Sequence, residues 1–120
     1  MDRKYRKQAG DYGEEVAKGY LAAKGYEILA QKYRAESGEV DIVAKSGGCL
    51  VFVEVKYRRQ TDFGRPVLSI TTAKRRTIVL AASHFLAERG LMYADCRFDV
   101  VEVFGRETVV VNHIENAFDC

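Results

Sequence analysis

The chain has few of the residues that build cross-linked or rigid frameworks: three cysteines and one proline among 120 residues. Cys49, Cys96 and Cys120 form an odd set without a C-x-x-C pair, which argues against both a disulfide framework and a thiolate zinc site. The cysteines therefore read as reduced thiols, two of them opening strands. His84 and His113 are too far apart in pattern for a zinc or acid–base pair, so each reads as a satisfied or exposed side chain. Long hydrophobic runs are also missing. Cys49–Val53 and Ile78–Ala82 are five residues each, against the roughly 18 a membrane span requires. The opening Met1-Asp2-Arg3-Lys4-Tyr5-Arg6-Lys7 is charged with no apolar stretch behind it, unlike a secretory signal. The expectation is a cytoplasmic protein with no membrane partner.

Nor does either sign of charge dominate, since 19 basic against 17 acidic residues leave a net +2. The distribution says more. Residues 54–76 hold seven basic side chains (Lys56, Arg58, Arg59, Arg65, Lys74, Arg75, Arg76) against Glu54 and Asp62. Residues 95–120 reverse this, with Arg97 and Arg106 against Asp95, Asp99, Glu102, Glu107, Glu115 and Asp119. One face suits phosphates while the other stays in solvent; ordinary solvated charge explains the same composition equally well.

The length fits one domain spanning residues 1–120, with room for a single core and none for a separate substrate domain. Any site must be built on the core elements. From Ala9 to Lys24 apolar residues recur at helical spacing, and Gly25 supplies the stop. Tyr26–Tyr33 reads as a strand. Glu39–Ala44 and Leu50–Tyr57 read as two more, joined by a glycine turn that predicts an antiparallel pair. After a loop containing Pro66, a helix runs from about Thr71, a candidate cap, to Glu88, with Gly90 as its stop. Arg97–Phe104 and Thr108–Ile114 complete an α/β order of αβββαββ.

The chemistry concentrates in the second and third strands. Glu54 and Lys56 are two apart in an otherwise apolar strand, so alternation puts both on one face. Antiparallel pairing brings Asp41 alongside, with Glu39 sharing its face. Charges in strand centres are costly unless paired or bound to metal. A hard dication such as Mg²⁺ commonly takes one or two carboxylates and completes its shell with water and substrate phosphate. Asp41 and Glu54 meet that count, and Lys56 is left to orient or deprotonate water. The bland alternative is a structural ion pair near a sheet edge. The upstream Gly38-Glu39-Val40-Asp41, the glycine turn and the flanking basic residues favour the metal site.

These residues belong to a longer pattern. It comprises Gly10-x-x-Gly13-Glu14-x-x-Ala17 with Leu21 and Gly25-Tyr26, then Gly38-Glu39-Val40-Asp41, and Val51-Phe52-Val53-Glu54-Val55-Lys56 with Arg58. Phe63-Gly64, Lys74, Ala82 with Phe85-Leu86, Arg97-Phe98-Asp99-Val100-Val101 and Asn116-Ala117-Phe118 continue it. The chain resembles the PD-(D/E)xK nuclease superfamily, and within it the small bacterial YraN-type proteins, related in fold to archaeal Holliday junction resolvases. Tyr57 departs from the pattern, which more often has threonine there. The resemblance implies a restriction-endonuclease-like mixed sheet flanked by helices, Mg²⁺ or Mn²⁺ on Asp41 and Glu54, and phosphodiester cleavage. The backbone carbonyl of Val55 is a candidate further ligand. Resolvase-like relatives also imply a homodimer and a first-helix glutamate at the metal.

Glu14 is either that glutamate or a solvated acid favoured by the helix start. Lys74 is either a phosphate contact or a surface residue. Arg58 and Arg59 follow the catalytic strand and are candidate phosphate clamps. Tyr57 reads more as packing than as a base-stacking platform, and Asp99 as a structural partner of Arg97. Two function classes remain, a metal-dependent nuclease acting on DNA and a nucleic-acid-binding module without turnover. Phosphate contacts do not separate DNA from RNA.

Overall fold

A computed structural model of the chain describes residues 3–62 and 70–118. Phe63-Gly64, Arg65, Pro66, Asp119 and Cys120 lie outside the described residues. The elements are α1 (Arg3–Ala23), β1 (Glu27–Ala35), β2 (Gly38–Ser46), β3 (Cys49–Arg58), α2 (Thr72–Glu88), β4 (Asp95–Phe104) and β5 (Val110–Phe118), with a short 3₁₀ turn at Gln60–Asp62. The expected αβββαββ order holds. The five strands form one sheet in the order β1-β2-β3-β4-β5. Only β3 and β4 run parallel, joined across the sheet by α2, and the other neighbours are antiparallel.

Both helices end where the sequence stops them. Gly25 takes φ 92, and the N–H groups of Tyr26 and Gly25 donate to the carbonyls of Leu21 and Ala22 at 3.0 Å each. Those two bonds are the paired closure of a Schellman motif, which favours glycine at the left-handed position. α2 closes in the same way at Gly90, with Leu91 N–H donating to Leu86 and Gly90 N–H to Ala87. At its other end the Thr71 hydroxyl accepts from the Lys74 N–H at 3.1 Å, so Thr71 is the cap.

The sheet buries both faces. On one side Ala17 and Leu21 of α1 meet Ile42, Val51, Val53, Val101 and Val103. On the other, α2 sets Ile78, Ala82 and Phe85 against Val43, Phe52, Phe98 and Phe118. Phe85, Phe52, Phe98 and Phe118 form a continuous aromatic row, with successive ring centroids 5.9, 5.6 and 5.0 Å apart.

One contact fixes how α2 approaches the sheet. A Cβ at Gly38, the first residue of β2, would stand 2.4 Å from the Thr77 carbonyl oxygen. Only a residue without a side chain fits there. Gly38→Ala is therefore expected to push the first turns of α2 outward and to cost about 1–3 kcal/mol in denaturant melts, the usual range for overpacking. A melt unchanged from the parent protein would disprove the tight approach.

Candidate functional site

The β2–β3 ladder runs from Ser46↔Cys49 to Ile42↔Val53. Beyond that pair the two strands part. β2 stays with β1, pairing Val40 with Tyr33, while β3 stays with β4, pairing Lys56 with Glu102. Fraying two central strands leaves backbone groups in need of partners. The Asp41 carboxylate fills one vacancy, its Oδ2 accepting the Val55 N–H at 2.8 Å. Asp41 thus sits at the crotch of the fork, beside the strand that carries Glu54 and Lys56.

Glu54 is only 7% exposed, yet it is an acid in a sheet centre. Two ammonium groups attend it, Lys74 Nζ at 3.7 Å and Lys56 Nζ at 4.0 Å, both from Oε1. Lys56 comes from the same strand face, as alternation requires. Lys74 comes from the first turn of α2, placed by the Thr71 cap and the close approach at Gly38. The structure therefore sets Lys74 against a site carboxylate rather than out on a separate phosphate patch.

Burial holds both carboxyls up. Asp41 is pushed up to about 6, first by loss of solvent and then by the charge of Glu54, against the pull of the Val55 N–H and Lys74. Glu54 is raised as well, again chiefly by burial, with Lys74 and Lys56 opposing. Two desolvated carboxyls, with the charge of Glu54 discouraging ionisation of Asp41, form a donor pair that a cation relieves. No three His, Cys, Asp or Glu side chains among the described residues gather tightly enough to enclose a metal. The pair accordingly suits an ion that takes two protein carboxylates and completes its shell with water and phosphate oxygens, the habit of Mg²⁺.

Glu14 reaches the edge of this group from α1. Burial raises its carboxyl, the charge of Asp41 adds to that, and Lys32 pulls the other way. Lys32 Nζ lies 2.7 Å from Glu14 Oε2, though out of hydrogen-bond alignment, so this buried oxygen has an ion-pair partner and no hydrogen bond. The solvated alternative for Glu14 does not describe this placement. Sequence reasoning missed Lys32 altogether, because its part depends on where α1 lies over β1.

The two arginines separate. Arg59 is 82% exposed, touching Asp62 at 3.5 Å, and stands at the surface just after β3. Arg58 instead turns inward to Glu102, a buried acid that also accepts from the Asn112 amide at 3.0 Å. Tyr57 packs, its Cβ meeting Gly13 of α1 and its hydroxyl donating to the Gly105 carbonyl at 3.0 Å. Asp99 is structural as read. Fully buried, it takes Arg97 Nε at 3.1 Å, His113 Nε2 at 2.7 Å and the Asn116 N–H at 2.9 Å. Asp99 and Glu102 thus remove two of the acids that composition assigned to a solvent face.

Comparison with known proteins follows the same positions. The family described as "Uncharacterised protein family UPF0102" matches residues 13–103, a span holding Glu14, Asp41, Glu54, Lys56 and Lys74. A UPF0102 protein of Clostridioides difficile is 45% identical over 112 residues, covering 93% of this chain and 97% of its own. One from Desulfosudis oleivorans is 47% identical over 114 residues, covering 95% and 92%. Another, from Symbiobacterium thermophilum, is 47% identical over 97 residues, covering 81% and 82%. No helix among the described residues is long and apolar enough to cross a membrane.

Proposed function

The chain belongs to UPF0102, the YraN-type family, and on that premise we propose that it is a metal-dependent nuclease hydrolysing phosphodiester bonds in DNA, branched recombination or repair intermediates among them. The observation that carries this reading is the fork itself. It sets a half-buried Asp41 beside a buried Glu54 and leaves Lys56 about half exposed next to them.

Asp41 and Glu54 would hold Mg²⁺ or Mn²⁺, with the Val55 carbonyl as a candidate further ligand. Such an ion, when bound, stabilises charge developing on a phosphate and acidifies coordinated water. The chain's own groups do the rest. The Val55 N–H keeps Asp41 aimed at the opening of the fork. Lys56 carries its ammonium at the same opening, where it orients water and offsets phosphate charge. Lys74 approaches from the α2 side as a second cation for the scissile phosphate, and Arg59 extends the positive surface beyond it.

The test is a cleavage assay on single-stranded, duplex and four-way branched DNA with Mg²⁺ and with Mn²⁺. Cleavage is expected to need the ion and to fall by at least about a hundredfold in Lys56→Ala, the loss typical of a removed charge-stabilising group. Equal cleavage by the variant, or none with any divalent ion, would sink the proposal.

One observation favours the alternative, a binding module that keeps the fold without turnover. Lys56 and Lys74 both already stand against Glu54, so the site carries compensating charge without a metal. Salt-sensitive DNA binding with no cleavage and no heat on metal titration would select that reading.

A further inference from the structure

Lys32 is one of two non-glycine residues among the described ones with positive φ, at 50°. In the β1–β2 ladder Gln31 pairs with Ile42 and Tyr33 with Val40, so Lys32 and Asp41 fall between the two pairs. Side chains of L residues adopt this backbone conformation at a cost, and such residues persist where the surroundings hold them. What holds Lys32 is α1. Its ammonium meets Asp11 Oδ1 and Glu14 Oε2, each at 2.7 Å, and Asp11 is further paired with Lys7 at 3.1 Å. The left-handed residue therefore ties the strand beside Asp41 to the helix carboxylate that borders Asp41.

We infer that Lys32 is a positioning residue that acts as a resident cation: it occupies Glu14, withholds that carboxylate from the metal, and limits the fork to one divalent ion on Asp41 and Glu54. The inference rests on the reading of Asp41 and Glu54 as a metal site. Asp41 and Glu54 make the pair, and Glu14 from α1 stands at its border, close enough to Asp41 for the two charges to be felt, a third carboxylate outside the pair. Lys32 lies within direct contact of only one of the three, the one whose second oxygen is otherwise unbonded. A metal recruiting Glu14 must break that ion pair. With Lys32 in place, the site keeps a moderate affinity and open positions for water and phosphate. Without it, the Glu14 carboxylate has no ion-pair partner among the described residues and is free to turn to an ion held by Asp41 and Glu54.

Isothermal titration of the whole protein with Mn²⁺ tests this without reference to cleavage. The main variant is Lys32→Gly, because glycine is at ease at positive φ and the fold is kept while the ammonium is lost. One ion is expected to bind the parent protein, and Lys32→Gly should bind it about tenfold more tightly, the scale of removing one nearby positive charge. Lys32→Arg should stay near the parent value. The charge-balanced double variant Lys32→Gly/Glu14→Gln should return to within about threefold of it. A thermal melt confirms that each variant is folded, and Lys32→Met replaces Lys32→Gly with the same expectation should glycine fail that check. A folded ammonium-free variant binding no more tightly than the parent overturns the role of Lys32 alone. Loss of all Mn²⁺ binding in the parent, or parent-like binding by Glu54→Gln, overturns the metal-site reading and this inference with it.

Discussion

Asp41→Asn is expected to make the metal-free protein more stable at neutral pH while removing its cleavage. The carboxyl of Asp41 titrates near 6 in the folded chain against an ordinary 3.8, so the native state holds its proton more tightly than the unfolded one. The sign follows directly. Stability from that proton is complete below the ordinary value and is lost as pH rises through about 6. Above that window the folded protein carries a desolvated charge facing Glu54. A displacement of roughly two pH units corresponds to about 3 kcal/mol, and part of it returns when Glu54 relaxes, leaving an expected gain of about 1–3 kcal/mol. Asparagine suits the test because its carbonyl can still accept the Val55 N–H that Asp41 now receives at 2.8 Å. Denaturant melts in a chelator should show the gain at about pH 8 and none at about pH 4. Divalent ions should raise the melting temperature of the parent protein and leave that of Asp41→Asn unmoved, since only the parent keeps both carboxylates. Cleavage should fall by at least about a hundredfold. A variant destabilised equally at both pH values would show that Asp41 serves the fold and carries no strain for a ligand.

The element order and the heart of the site were legible because both rest on short-range periodicity. Gly25 and Gly90 end their helices, the Gly47-Gly48 turn pairs β2 with β3, and alternation puts Glu54 and Lys56 on one face. What was not legible depends on partners distant in the chain. α1 begins at Arg3 rather than Ala9, where polar residues give no apolar period to follow. β5 continues to Phe118 instead of stopping at Ile114, because Asn116 adopts φ 53, its N–H is taken by Asp99, and Phe118 stacks on Phe98. Lys32 falls within the strand expected over Tyr26–Tyr33 and carries no local mark that sets it apart. Its left-handed backbone and its hold on Glu14 follow from the packing of α1, which no local pattern encodes.

Arg58 shows the same limit with a larger energetic consequence, and its replacement by methionine is expected to damage the fold before it touches DNA affinity. By position alone Arg58 is a candidate phosphate clamp. In the fold its guanidinium is mostly covered, pairs with Glu102 and lies 5.4 Å over the Phe104 ring. Glu102 is 1% exposed, and with Arg58 gone its carboxylate would keep, among the described residues, the Asn112 amide as its hydrogen-bond donor. Breaking one side of a buried pair costs about 3–5 kcal/mol, because the remaining charge stays desolvated. Lys56 stands in register with Glu102 across the parallel β3–β4 pair. Its ammonium is then drawn from Glu54 toward the stranded acid, so Arg58→Met should also slow cleavage. The double variant Arg58→Met/Glu102→Met separates the two roles. Replacing both partners with apolar side chains should recover most of the stability and return Lys56 to the fork. Melts and cleavage rates measured together decide the matter: a purely phosphate-binding Arg58 would give an unchanged melt, weaker DNA binding in both variants, and no rescue by the second substitution.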